Sequence, residues 1–145
     1  MIDAVTELMQ LSNFHKNYSE KDMQRLIYPA IKNNRCVVYR DDDGKPVGMF
    51  TYMWLNSKAE TGYLNGTRQL QPEDWETAPT SGKLYVIDFI APYNNGAKIA
   101  RKCRSYLSAH TYTDNEGLFV RMASNRRIGR VGRKHAKPTY YSRTS

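Results

Sequence analysis

Leu84-Tyr85-Val86-Ile87-Asp88-Phe89-Ile90-Ala91-Pro92-Tyr93 is the stretch that decides how this chain is read. It places a carboxylate inside an apolar strand that runs to a proline. An ionised carboxylate is costly to bury unless it is paired or hydrogen-bonded, so Asp88 needs a partner. Far upstream, Leu11-Ser12-Asn13-Phe14-His15-Lys16-Asn17-Tyr18 offers His15. A histidine oriented by a buried aspartate is a general acid/base arrangement. The expectation is that His15 and Asp88 meet on one side of a cleft, within hydrogen-bond reach.

The elements around this strand follow from pattern. Ala4, Val5, Leu8, Met9 and Leu11 have helical spacing over residues 3–11, and His15 follows in a polar break. Ser19 with Asp22 is a capping start for a second helix running to about Ile31, with Pro29 expected to kink it or end it early. Residues 36–39 and 46–55 read as strands joined by Asp41-Asp42-Asp43-Gly44, a hairpin turn whose glycine accepts positive φ. A short helix over 57–64 and a polar loop over 67–82 lead into the strand at 84–91. Residues 96–109 form a basic amphipathic helix with Ile99, Ala100, Cys103, Tyr106 and Leu107 inward, and residues 118–122 a last strand. The fold class is α+β: one domain with a mostly antiparallel central sheet flanked by helices.

At 145 residues the chain suits a single modest core. No apolar run approaches the about eighteen residues of a membrane span. The start lacks a secretory pattern, and Cys36 and Cys103 show neither CxxC nor metal spacing, so the expectation is a cytoplasmic protein with two ordinary thiols and no metal. Charge is uneven. Residues 97–145 carry 12 Lys/Arg against 2 Asp/Glu, and residues 1–96 carry 10 against 12, which gives the formal +8. The excess gathers in residues 125–145, read as a basic C-terminal segment after a domain over 1–124. Such a block suits nucleic acid, an acidic carrier protein or an acidic membrane surface, and a solvated tail is the plainer reading.

The junction after the strand, Asn94-Asn95-Gly96, places helix-start N–H groups beside a strand end, where an anionic group can bind. GNAT-superfamily acyltransferases hold a pyrophosphate at this kind of junction, although their glycine-rich pattern is reduced here to Gly96 followed by Ala97. An ordinary strand-to-helix turn explains Gly96 equally well. Several segments, in order, resemble the toxin-activating lysine acyltransferases, the hemolysin C-like family: the block from Leu11 to Tyr18, Pro29-Ala30-Ile31, the run from Tyr39 to Val47, Pro72-Glu73-Asp74-Trp75, and Val86 to Tyr93 with Asn95-Gly96. A fainter match covers Phe119-Val120-Arg121 and Gly129-Arg130-Val131.

The resemblance implies a GNAT-like fold and transfer of a fatty acyl group from acyl-carrier protein to a protein lysine. It puts the catalytic histidine on His15, the catalytic aspartate on Asp88 and the nearby serine on Ser12. No resident cofactor is implied; the donor is a carrier thioester, with acyl-CoA as an open alternative. Asn95 and Gly96 would meet the donor at the helix start, and Arg101 and Arg104 an acidic carrier. Tyr18-Ser19 stands where the family usually has tryptophan-proline, and the C-terminal part is shorter than in the prototype.

From the chemistry, a lysine amine (pKa about 10.4) is protonated at neutral pH, so a base must take a proton as it attacks the thioester. A histidine (unperturbed pKa about 6.5) suits that task, and His15 as base or as nucleophile stays open. Two other classes compete. One is an inactive GNAT-like structural protein, phage-encoded or nucleic-acid-associated, with Tyr140 and Tyr141 stacking on bases. The other is a CoA-dependent N-acetyltransferase. A homodimer is compatible with all three.

Overall fold

The computed structural model describes residues 1–110, 117–120 and 139–142. Helix α1 (Ile2–Gln10) is followed by a 3-10 turn, His15–Asn17. The next helical run comprises α2 (Glu20–Asp22), a π turn (Met23–Ile27) and α3 (Tyr28–Lys32). Strands β1 (Cys36–Arg40) and β2 (Pro46–Leu55) form a hairpin, and α4 (Ser57–Asn65) follows. Two 3-10 turns, Pro72–Glu76 and Pro79–Ser81, lead to β3 (Lys83–Ile90) and α5 (Gly96–His110). Strands β4 (Gly117–Val120) and β5 (Thr139–Ser142) pair antiparallel, with β4 beside β3. The main sheet is antiparallel in the order β1-β2-β3. This is the α+β domain with an antiparallel sheet that the pattern predicts. The 124/125 division and the residues assigned to a last strand beyond Val120 lie outside the described residues.

Local signals set most boundaries. Ser19 accepts the Asp22 N–H, and the Asp22 carboxylate accepts the Ser19 N–H, which closes the expected capping box. Gly44 takes φ +84° in the hairpin turn, and Asp41 Oδ1 accepts the N–H groups of Asp43 and Lys45. Pro29 interrupts the regular helix without ending it. The helical run continues past it to Lys32, because a π turn widens the backbone just before the ring. Proline has no N–H to give the carbonyl four residues back, which is that of Arg25. The Trp75 Nε1–H donates to that carbonyl at 2.8 Å instead. Trp75 is fully buried, so the segment expected to be a polar loop carries a core anchor. Asp74 fixes it, accepting both guanidinium arms of Arg68 at 2.8 and 2.9 Å and the Gln71 N–H at 2.8 Å.

The sheet separates two apolar clusters. On one face Val5, Leu8 and Met9 of α1 and Ile27 and Ala30 of the next helical run pack on Met49, Met53, Leu55, Tyr85 and Ile87. On the other, Cys103 and Leu107 of α5 pack on Phe50, Tyr52, Trp54, Leu84 and Val86. Alternation along β2 and β3 assigns these faces. Gly48 lets α5 come close: a Cβ there would sit 2.7 Å from Ile99 Cδ1.

Candidate active site

Strict alternation along β3 would point Asp88 with Leu84 and Val86 toward α5. The register shows why it does not. Phe50 pairs with Phe89 and Tyr52 with Val86, so Ile87 and Asp88 together oppose the single residue Thr51. A bulge of this kind turns two consecutive side chains toward one face. Asp88 therefore joins Ile87 on the face that carries α1 and the 3-10 turn of His15. The bulge takes the Asp88 N–H off the ladder, and Thr51 Oγ1 accepts it at 3.0 Å. The Thr51 hydroxyl in turn donates to Asp88 Oδ2 at 3.4 Å.

His15 reaches the same carboxylate from the turn after α1. Its Nε2 lies 3.1 Å from Asp88 Oδ1, and both side chains are buried, at 2% and 1% exposure. The expected pairing is present as a direct contact. Tyr18, three residues on, donates its hydroxyl proton to the same Oδ1 at 2.5 Å. Asp88 thus receives His15, Tyr18 and Thr51, which is how an apolar strand tolerates its charge. The other ring nitrogen, Nδ1, is 2.7 Å from Ser12 Oγ. An ionised Asp88 accepts only, so Nε2 carries the proton and Nδ1 presents its lone pair to the Ser12 hydroxyl. Ser12 Oγ also accepts the His15 N–H at 3.2 Å, which holds the turn. The result is a relay from a half-buried hydroxyl through a buried imidazole to a buried carboxylate.

Asp88 and Tyr18 form part of the wall of a cavity of about 510 Å³, whose other lining residues include Phe14, Arg25, Tyr63 and Arg68. Neither His15 nor Ser12 lines it, so the expected place beside a cleft holds for Asp88 and not for the buried His15. Burial, reinforced by the Asp88 charge, pushes the Cys36 thiol up to about 12, and burial does the same to Cys103. Both stay protonated at neutral pH and are not nucleophiles in the folded protein. Among the described residues no cluster of three His, Cys, Asp or Glu side chains comes together to hold a metal, and no helix is long and apolar enough to cross a membrane.

This geometry sits in a chain that matches the RTX toxin acyltransferase family over residues 1–135. The chain belongs to that family. It is 27% identical over 104 residues to the lysine-acyltransferase RtxC of Vibrio cholerae serotype O1, covering 72% of this chain and 66% of the relative. It is 27% identical over 107 residues to the leukotoxin-activating lysine-acyltransferase LktC serotype A1 of Mannheimia haemolytica, covering 73% and 62%. It is also 27% identical over 104 residues to the RTX-II toxin-activating lysine-acyltransferase ApxIIC of Actinobacillus pleuropneumoniae, covering 72% and 62%. The chain spans a little under two thirds of the length of these curated relatives.

The residues singled out in this RTX toxin acyltransferase chain fall in two places. Ser12, His15 and Asp88 converge. Asn95, Gly96, Arg101 and Arg104 lie elsewhere, at and beyond the start of α5. The Asn95 amide shapes the loop, accepting the Tyr93 N–H at 3.2 Å and donating to the Val47 carbonyl at 2.9 Å. Gly96 opens α5 with no atom within 4 Å of where a Cβ would stand. Arg101 borders a shallow basic depression with Lys98, Lys102, Tyr39 and Tyr106, and Arg104 is exposed on the same helix. Because α5 covers the opposite sheet face, neither arginine lines the cavity beside Asp88. Sequence reading missed Tyr18 and Thr51 as partners of Asp88. Tyr18 had a signal, its three-residue spacing from His15 in a short turn; Thr51 in a β-rich run had none.

Proposed function

We propose that this chain is a protein-lysine acyltransferase with a GNAT-like fold, moving a fatty acyl group from the thioester of acyl-carrier protein to a lysine ε-amine. The observation that carries the reading is the Ser12–His15–Asp88 relay, at 2.7 and 3.1 Å, in a member of this family. In the reaction the amine nitrogen attacks the thioester carbonyl, a C–N bond forms, the C–S bond breaks, and the amine proton ends on the leaving thiolate. His15 serves as the base. Its burial and the Ser12 hydroxyl seated on Nδ1 favour this over direct acylation of the ring. The proton passes from the amine to Ser12 Oγ while the Ser12 proton moves to Nδ1, and Asp88 stabilises the imidazolium. The donor thiolate then recovers the proton by the reverse path.

The donor side is assigned to the start of α5. Its first N–H groups, open at Gly96, suit the phosphate of a pantetheine arm or a thioester oxygen. Arg101 and Arg104 would steer an acidic carrier by long-range charge, which speeds encounter more than it tightens the complex. The test is intact-mass analysis of a lysine-bearing acceptor protein after incubation with long-chain acyl-carrier protein and this enzyme. Native chain should add one acyl mass, and folded His15→Ala none. Charge reversal of Arg101 and Arg104 should slow transfer at low salt and lose that effect at high salt. Equal transfer by native chain and His15→Ala would remove the assignment. An acyl mass on the enzyme itself that disappears in Ser12→Ala would place a covalent intermediate on Ser12.

A further inference from the structure

Asp88 gives one oxygen to two donors. Oδ1 accepts Nε2–H of His15 at 3.1 Å and the Tyr18 hydroxyl at 2.5 Å. The two rings lie side by side, with centroids 5.1 Å apart at 48°, and Phe14 packs edge-on against both. Unlike His15, Tyr18 stands in the cavity wall. Burial, then the charge of Asp88 and the hydrogen bond to it, pushes the Tyr18 phenol far above its ordinary value. Tyr18 is therefore a donor at every working pH and never a phenolate. The other groups facing this cluster do not replace it. Cys36 of β1 stays a thiol, and Thr51 of β2 carries no charge. Asp22 pairs with Arg25 at 3.3 Å and Arg68 with Asp74 at 2.8 Å. Tyr63 of α4 is a neighbouring phenol that adds to the upward push on Tyr18.

We propose that Tyr18 is a positioning residue that sets how strongly Asp88 holds the His15 imidazolium. The inference rests on the acid/base reading of His15 given above. A carboxylate oxygen that already accepts a strong phenolic hydrogen bond has less negative charge to offer a second donor. Tyr18 thus fixes the Asp88 rotamer and keeps it anionic, while weakening its pull on the imidazolium proton. Acyl transfer needs that balance. His15 must take a proton from the amine side and then give it up to the leaving thiolate, and too tight an ion pair would stall the second step.

The test follows the His15 ring resonances against pH by NMR in the native chain and in Tyr18→Phe, alongside the pH profile of acyl transfer. In Tyr18→Phe the His15 midpoint should move upward by about half a pH unit or more. The acid limb of the transfer profile should move with it, and kcat should fall while KM for the donor changes little. Fluorinated tyrosine at position 18, a stronger donor, should shift the midpoint the other way, and it keeps the test available if Tyr18→Phe does not fold. Midpoints unchanged or shifted in the opposite sense in these variants would overturn the proposal and leave Tyr18 as packing. The NMR arm needs no turnover, so an inactive native chain would count against the acyltransferase reading without deciding the role of Tyr18.

Discussion

The two faces of the central sheet are both packed with apolar side chains and do different work. The α5 face is aromatic and closed. Phe50 lies edge-on to Tyr106 at 5.7 Å, and Tyr52 to Trp54 at 5.7 Å, over Cys103 and Leu107. The α1 face has the larger cluster, interrupted near one edge by His15, Thr51 and Asp88, all buried. One bulge separates these outcomes. Without it, the parity of β3 would carry Asp88 to the aromatic face, away from His15, Tyr18 and Thr51. Where a carboxylate inside a strand points is thus a question of register before it is a question of residue type.

The strongest way to break the contrast is at the carboxylate. Asp88→Asn keeps the shape but cannot stabilise an imidazolium, so transfer should fall by about a thousandfold or more. A rate assay on protein shown folded by circular dichroism checks this, and a loss under about tenfold would be too small for the proposed role. Thr51→Val attacks the bulge itself. It leaves the Asp88 N–H buried without its acceptor, so stability should drop by about 1–3 kcal/mol in a denaturant titration. Transfer by the surviving folded protein should fall less than in Asp88→Asn. The opposite face should give the opposite pattern. Gly48→Ala presses on Ile99 and should lower stability by about 1–2 kcal/mol, with transfer per folded molecule falling less than in Thr51→Val. A rate loss in Gly48→Ala as large as in Thr51→Val would mean the two faces are not separable.

The effect that vanishes at neutral pH belongs to both faces at once. Cys36 and Cys103, one in each cluster, are raised from 9.0 to about 12. Between these values the unfolded chain sheds thiol protons that the folded protein keeps. Stability should therefore be unaffected by these thiols below pH 9 and decline as pH rises from there toward 12. Thermal unfolding across that range checks the slope, and native protein should resist a thiol reagent at pH 8 to which unfolded chain reacts.

Much of this was legible in the sequence, for definite reasons. The hairpin showed because Gly44 supplies positive φ between β-rich runs, and the second helix because Ser19 and Asp22 close a capping box. The partnership of His15 with Asp88 showed because a buried charge demands a counterpart. The bulge did not show, since neither glycine nor proline marks Ile87-Asp88 and the extra residue is recognised only against Thr51 across the ladder. Nor did the role of Trp75, which answers a carbonyl orphaned by Pro29 from fifty residues away. Tyr18 read as a departure from a pattern; its hydroxyl acquires meaning only once the turn after α1 is laid against β3. What was lost was long-range register, which one-dimensional patterns do not encode.

The central claim is that Asp88 accepts Nε2–H of His15, so that Nδ1 is the basic nitrogen facing Ser12. Nitrogen-15 NMR of the His15 ring in the native chain, at a pH where the ring is neutral, tests it most directly. The account predicts the Nε2-protonated tautomer, with Asp88→Asn losing that preference. A native ring protonated at Nδ1, or one divided between tautomers as in free imidazole, would contradict it.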